Sequence, residues 1–196
     1  MIYEQLGAYI KKNIEISAHD LSIVHSYFKK TEKAKYTVLL SEGQTSPFSF
    51  FVGKGCLRIF FINKEGKDVT RYIAFENQLA TGLSSFISKL PSAEYIEVIE
   101  KAELLYISHD AFNHLMQTVP QWQVFYQLYL EKAYVNTNNR LMSFTTTDAT
   151  ERYAPLLKIN PALVKRIPNK IVVSYITISQ ETLSRLKWKS IQSSSK

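Results

Sequence analysis

The chain has 196 residues, enough for one large domain or a medium domain with a small one beside it. Its hydrophobic content of 45% and aromatic content of 13% suffice for a packed core, and its single cysteine, Cys56, excludes an internal disulfide and any multi-cysteine zinc or iron–sulfur site. The net charge of +7 sits wholly in residues 149–196, which hold nine Lys/Arg against two acids, so a basic segment follows a neutral one, the balance either of a nucleic-acid module carried by something else or of a solvated basic tail.

Residues 1–33 read as helical. Leu6, Tyr9, Ile10 and Ile14 recur at helical spacing, and Ser17-Ala18-His19-Asp20 forms a capping box before a short helix with Leu21, Val24, His25 and Phe28 on one face. Met1 to Gln5 has neither the basic nor the apolar part of a signal peptide, and no apolar run approaches the ~20 residues of a membrane span. The expectation is a cytoplasmic protein that makes no use of a membrane.

From Lys35 the pattern changes to short strands. Tyr36–Leu40 and Phe48–Val52 come first, then a turn at Gly53-Lys54-Gly55, then Cys56–Ile62 with Cys56 as a small core residue. Asn63–Lys67 is a hairpin loop and Val69–Ala74 the return strand. Tyr95–Glu100 and Ala102–Ile107 complete the set, which argues for a sandwich or small barrel.

Ser108 caps a helix, and Pro120 opens a long one running to about Phe144. Trp122, Phe125 and Tyr129 share one face of it; Val124, Leu128 and Val135 lie near a second. A helix apolar on two faces must be covered twice; the expectation is the β region on one side and a symmetric copy of itself on the other, the alternative being burial within the monomer. Asn136–Arg140 is polar, Thr145–Thr147 reads as a hinge, and Asp148-Ala149-Thr150-Glu151 is a capping box opening a helix that ends at Asn160-Pro161. Pro161–Arg166 reads as a short helical turn.

Asn169–Ile176, a turn at Thr177-Ile178, and a helix from Ser179 to Trp188 capped by Ser179 have the pattern of a helix-turn-helix. Leu183 and Leu186 fall on one side of the second helix. Gln180, Glu181, Ser184, Arg185 and Trp188 fall within an arc of roughly 140° on the other. Arg grips guanine O6/N7, Gln pairs with adenine and Glu accepts from cytosine N4, so this face suits a major groove. Lys165, Arg166, Lys170, Lys187 and Lys189 would serve phosphates.

With these motifs in hand, the chain resembles the Crp/Fnr family of bacterial transcription regulators over nearly all its length. The resemblance rests on Phe50–Arg58, Gly66–Thr70, Glu151-Arg152-Tyr153 with Leu156-Leu157, Ile167-Pro168, and above all Ser179–Arg185. It implies an α+β fold: an N-terminal β jelly-roll of cyclic-nucleotide-binding type with flanking helices over 1–118, a long dimerisation helix over 119–145, and a small all-α helix-turn-helix domain over 146–196. It also implies double-stranded DNA as partner, a homodimer through the 119–145 helix, a small-molecule effector, and contact with RNA polymerase. Gln180, Glu181 and Arg185 match the base-contacting positions of the family's reading helix.

Two departures bear on function. The family's phosphate-binding cassette carries a Glu for the ribose hydroxyl and an Arg for the cyclic phosphate. The matching stretch here is Gly82-Leu83-Ser84-Ser85-Phe86 with Pro91-Ser92-Ala93, so Leu83 and Ser92 replace them. The expectation is weak or no cyclic-nucleotide binding, for want of a cation nearby, and no required cofactor, with Gly82, Leu83, Ser84, Ser85, Ser92 and Ala93 as the effector-pocket candidates. The turn, usually Gly, is Thr177, and little sequence follows the reading helix to make a wing. An enzyme is not expected: His19, His25, His109 and His114 all lie in predicted helices or caps, which assembles no metal site in the β core and leaves no catalytic residue to name. The competing expectation is a ligand- or protein-binding module that has lost DNA binding.

Overall fold

A computed structural model describes residues 1–159 and 165–193. The chain forms two units. One comprises Met1–Phe61 with Arg71–Ala133, the other Ile62–Thr70 with Tyr134–Lys196. The elements in chain order are α1 (Ile2–Asn13), α2 (Ala18–Tyr27), β1 (Lys29–Lys33), β2 (Val38–Leu40), β3 (Phe48–Ile62), β4 (Asp68–Ala74), β5 (Gln78–Ala80), α3 (Leu83–Ser88), β6 (Tyr95–Ser108), α4 (His109–Thr118), α5 (Pro120–Thr146), α6 (Ala149–Ile159), α7 (Asn169–Ile176) and α8 (Gln180–Ser193).

The first unit is a β-roll built on two long strands. β3 and β6 run antiparallel from Phe48 opposite Ser108 to Phe60 opposite Tyr95. β1 pairs with the second half of β6, and β2 with its first half. β5 pairs with the first half of β3, and β4 lies beside β3. Each long strand thus has different neighbours at its two ends, which bends the sheet into a jelly roll. Its inner face buries Leu40, Phe50, Val52, Leu57, Ile59, Ile96, Val98 and Leu104. Its outer face packs Phe51, Leu105 and Ile107 under α1, α2, α4 and the start of α5, where Trp122 is 1% exposed among the rings of Phe28, Phe112 and Phe125. The helix starts follow their caps: Ser17 Oγ accepts from the Asp20 N–H at 3.0 Å, and Ser108 Oγ from Ala111 at 3.2 Å.

Four expectations are corrected. Lys29–Lys33 is a strand, not the end of a helical segment. Lys-Lys-Thr-Glu-Lys has no apolar alternation to announce it, and its structure comes from the β6 ladder. Gly53-Lys54-Gly55 is a bend inside the single strand β3, with register shifts at Val52/Lys54 and Lys54/Cys56. Gly55 sits at φ +95°, and a Cβ there would lie 2.6 Å from the Lys101 carbonyl oxygen, so only glycine lets the strands cross so closely. For the same reason Tyr95–Glu100 and Ala102–Ile107 are one strand, β6. Thr145 and Thr146 close α5 rather than forming a hinge; their hydroxyls hydrogen-bond back to the Met142 carbonyl within the helix. The short elements β5 and α3 carry no sequence signal of their own. The expected helix end at Asn160-Pro161 lies outside the described residues, as does most of the Pro161–Arg166 turn.

Candidate nucleic-acid interface

The C-terminal half is built around α6, α7 and α8, which contact one another. Tyr153, Ile167, Ile171, Val172, Ile176, Leu183 and Leu186 are buried there. Burial of Leu183 and Leu186 fixes the rotation of α8, and Gln180, Glu181, Ser184, Arg185 and Trp188 all stand exposed on its other side. Ser179 Oγ accepts from the Thr182 N–H at 3.1 Å and so caps α8. The Asp148–Glu151 capping box closes in both directions, at 2.8 and 2.9 Å, and starts α6.

The turn between α7 and α8 places Thr177 in the left-handed region at φ 55°, ψ 60°. A β-branched residue is strained there. Two guanidinium groups hold the end of α7 against that strain. Arg152 Nε donates to the Ile176 carbonyl at 3.1 Å, and its NH1 donates to Thr147 O. Arg140 NH2 donates to the Tyr175 carbonyl at 2.5 Å and to the Thr70 carbonyl at 2.9 Å, with its guanidinium over the Tyr175 ring at 4.2 Å. Both charges lie at a helix C-terminus, where carbonyls lack helical partners and the dipole favours cations. Ser174 Oγ donates to Asp68 O at 2.9 Å and accepts from the Thr70 N–H at 2.7 Å. The last three residues of α7 are therefore each tied down by side chains. Sequence reading counted Arg152 in the basic charge and in the Glu151-Arg152-Tyr153 resemblance, and Arg140 only as helix polarity. Nothing in their sequence neighbourhood reveals that they cap α7.

Of the proposed phosphate contacts, Lys165, Arg166 and Lys170 are exposed, while the half-buried Lys187 donates to Asn169 Oδ1 at 2.6 Å and braces α8 against the start of α7. The Lys189 side chain lies outside the described residues.

In the first unit, the cassette stretch forms a closed loop around α3. Gly82 and Ser85 are buried, Leu83 is half-buried, and Ser84 and Ala93 are exposed. Ser85 Oγ accepts from the Ser46 N–H at 2.9 Å and donates to the Leu90 carbonyl at 2.5 Å. Ser92 is 6% exposed; its hydroxyl bonds both the N–H and the carbonyl of Glu94 at 3.0 Å. A cation does stand beside this loop. Arg71 on β4 grips both carboxylate oxygens of Glu94, through Nε to Oε1 and through NH2 to Oε2 at 3.1 Å. The expectation that no cation lies near is corrected: the fold brings Arg71 there from a distant strand, already paired. Cavities of about 360 and 280 Å³ in this unit share Phe48 and Tyr106 as lining, and no cassette residue lines either.

The helix α5 shows its two faces plainly. Trp122 and Phe125 are buried, and burial raises the Tyr129 hydroxyl pKa strongly. Val124, Leu128, Val135 and Met142 are 51%, 38%, 51% and 57% exposed, at steps of four and seven residues.

Comparison with known proteins places this geometry. Residues 31–119 match the family model for the cyclic nucleotide-binding domain. Among solved structures, the chain is similar to the c-di-GMP responsive global regulator CLP of Xanthomonas campestris, at 15% identity and a TM-score of 0.71 over 91% of this chain and 93% of that one. It is similar to FixK2 from Bradyrhizobium japonicum, at 12% identity and a TM-score of 0.73 over 85% and 86%. It is also similar to a protein from Eubacterium rectale assigned to the crp/fnr family of transcriptional regulators, at 12% identity and a TM-score of 0.67 over 90% and 85%. No curated protein matches by sequence. Residues 31–119 are thus a domain of cyclic-nucleotide-binding type. The fold of the chain, as the sequence resemblance implied, is that of the Crp/Fnr transcription regulators. Among the described residues, no helix is long and apolar enough to cross a membrane.

The polar groups of the cassette are already engaged: the Leu83 side chain offers no acceptor, the Ser85 and Ser92 hydroxyls are bonded to the backbone, and Arg71 is held by Glu94.

Proposed function

We propose that this protein is a homodimeric, sequence-specific DNA-binding regulator whose roll binds cyclic nucleotides weakly or not at all. The observation that carries the reading is the rotation of α8: its two leucines are buried, and Gln180, Glu181, Ser184 and Arg185 are all left exposed along one face. Gln180, Glu181 and Arg185 would read base edges, with Ser184 between them, and Lys170 and Lys189 would meet phosphates. Lys187 acts first as a brace to Asn169. The exposed Val124–Leu128–Val135–Met142 seam of α5 would pair with its copy, and the two reading helices would enter half-sites about one DNA turn apart.

The test is binding of the whole chain to fluorescent DNA from its own promoter region across a salt series, beside Arg185→Ala. The expected result is an affinity that falls steeply with salt, with a log–log slope of about −0.9 per phosphate neutralised. Arg185→Ala should weaken the preferred site about 10- to 100-fold and leave non-specific binding in place. No binding at low salt would overturn the reading in favour of an interaction module without DNA.

A further inference from the structure

Among the described residues, two Arg–Glu pairs flank the start of β6, and they differ in kind. Arg58 and Glu97 face each other across the β3–β6 ladder, an ordinary cross-strand pair with the guanidinium stacked on Phe60 at 3.8 Å. Arg71 and Glu94 are not ladder partners. Glu94 stands in the loop before β6, and that loop is fastened around it. Ser92 holds the Glu94 N–H and carbonyl, the Ser92 N–H donates to Gln44 O at 2.9 Å, and the Gly43 N–H donates to Ser92 O at 2.8 Å. The carboxylate is aimed at the guanidinium by a rigid loop and meets it with both oxygens, as a free phosphate or carboxylate would. The side chains are 32% and 18% exposed, so the fork is within reach of solvent.

We infer that Glu94 is a tethered substitute for an anionic ligand. It fills the Arg71 fork, keeps the cassette loop closed with no small molecule, and masks an anion site that takes phosphate-class ligands once the carboxylate is removed. Tethering decides the competition: a group held in place by the loop acts at a high effective concentration and loses little freedom on pairing. The inference rests on the proposal that the roll has given up cyclic nucleotides. It does not depend on DNA binding.

The experiment compares wild type, Glu94→Gln and the double variant Glu94→Gln/Arg71→Gln by thermal unfolding, with chloride exchanged for inorganic phosphate at constant ionic strength. Salt effects on the whole surface are common to all three and cancel. In about 50 mM phosphate, Glu94→Gln should rise by about 3 °C more than either of the others. Glu94→Ala supplies a second route: free acetate should raise its midpoint and leave wild type unmoved. Calorimetric titration of wild type with micromolar cyclic AMP should show no tight binding. Tight cyclic AMP binding by wild type overturns the proposed loss of nucleotide and this inference together. If wild type is silent and Glu94→Gln gains nothing over the double variant, the inference alone falls.

Discussion

The cassette loop and α8 carry similar residue types and use them in opposite ways. Around α3 the hydroxyls of Ser85 and Ser92 are bonded to the backbone, and the charges of Arg71 and Glu94 to each other. Along α8 the polar face of Gln180, Glu181, Ser184 and Arg185 is exposed, and the weak points, the turn and helix ends, are held by Arg140, Arg152 and Ser179 from behind. What a polar side chain can do for a partner is set by whether the chain has already satisfied it. Desolvating a group already paired internally gains a ligand little, whereas an exposed donor or acceptor is available at its full strength.

That contrast can be broken first at the turn. Arg152→Met keeps the apolar stem and removes the donors to Ile176 and Thr147. It should destabilise the C-terminal half by about 1–3 kcal/mol, seen as earlier urea unfolding of the helical signal with the β-roll transition unmoved. An equal loss in both halves would show that Arg152 does not act locally.

Thr177→Gly should sharpen the contrast in the opposite direction. Relief of the left-handed strain at φ 55° outweighs the greater freedom glycine gives the unfolded chain, for a net gain of about 1 kcal/mol in the same unfolding experiment. A loss would mean that the Thr177 side chain contributes contacts worth more than its strain.

The smallest effect lies in the first unit. His25 Nε2 is buried without a hydrogen-bond partner, and burial, with Lys11 nearby, lowers its pKa below the ordinary value of 6.5. The folded state therefore favours the neutral ring. Its stabilising share is present in full above the unfolded-state pKa of about 6.5 and is lost as pH falls from there through the depressed folded value. His25→Phe keeps a ring edge near Tyr3 and removes the titration. Stability measured from pH 7.5 down to 5 should show a shallower acid-side decline in the variant; parallel curves would sink the assignment.

Much of this protein was legible in its sequence because periodicity and caps act locally. Asn169–Ile176, the Ser179 cap, the Asp148–Glu151 box, the strand content and the two-faced α5 follow from side-chain spacing and short-range hydrogen bonding, which need no tertiary partner to be recognised. The tertiary structure alone decided the rest. β1 is a strand only because β6 offers it a ladder. Gly53 and Gly55 bend β3 instead of ending it because β6 continues past them at close range. Arg71 meets Glu94, and Arg140 and Arg152 meet the end of α7, across separations in sequence that no local pattern encodes. A long charged side chain has several possible partners of comparable energy in water, and only the packed backbone fixes which one lies within hydrogen-bond reach.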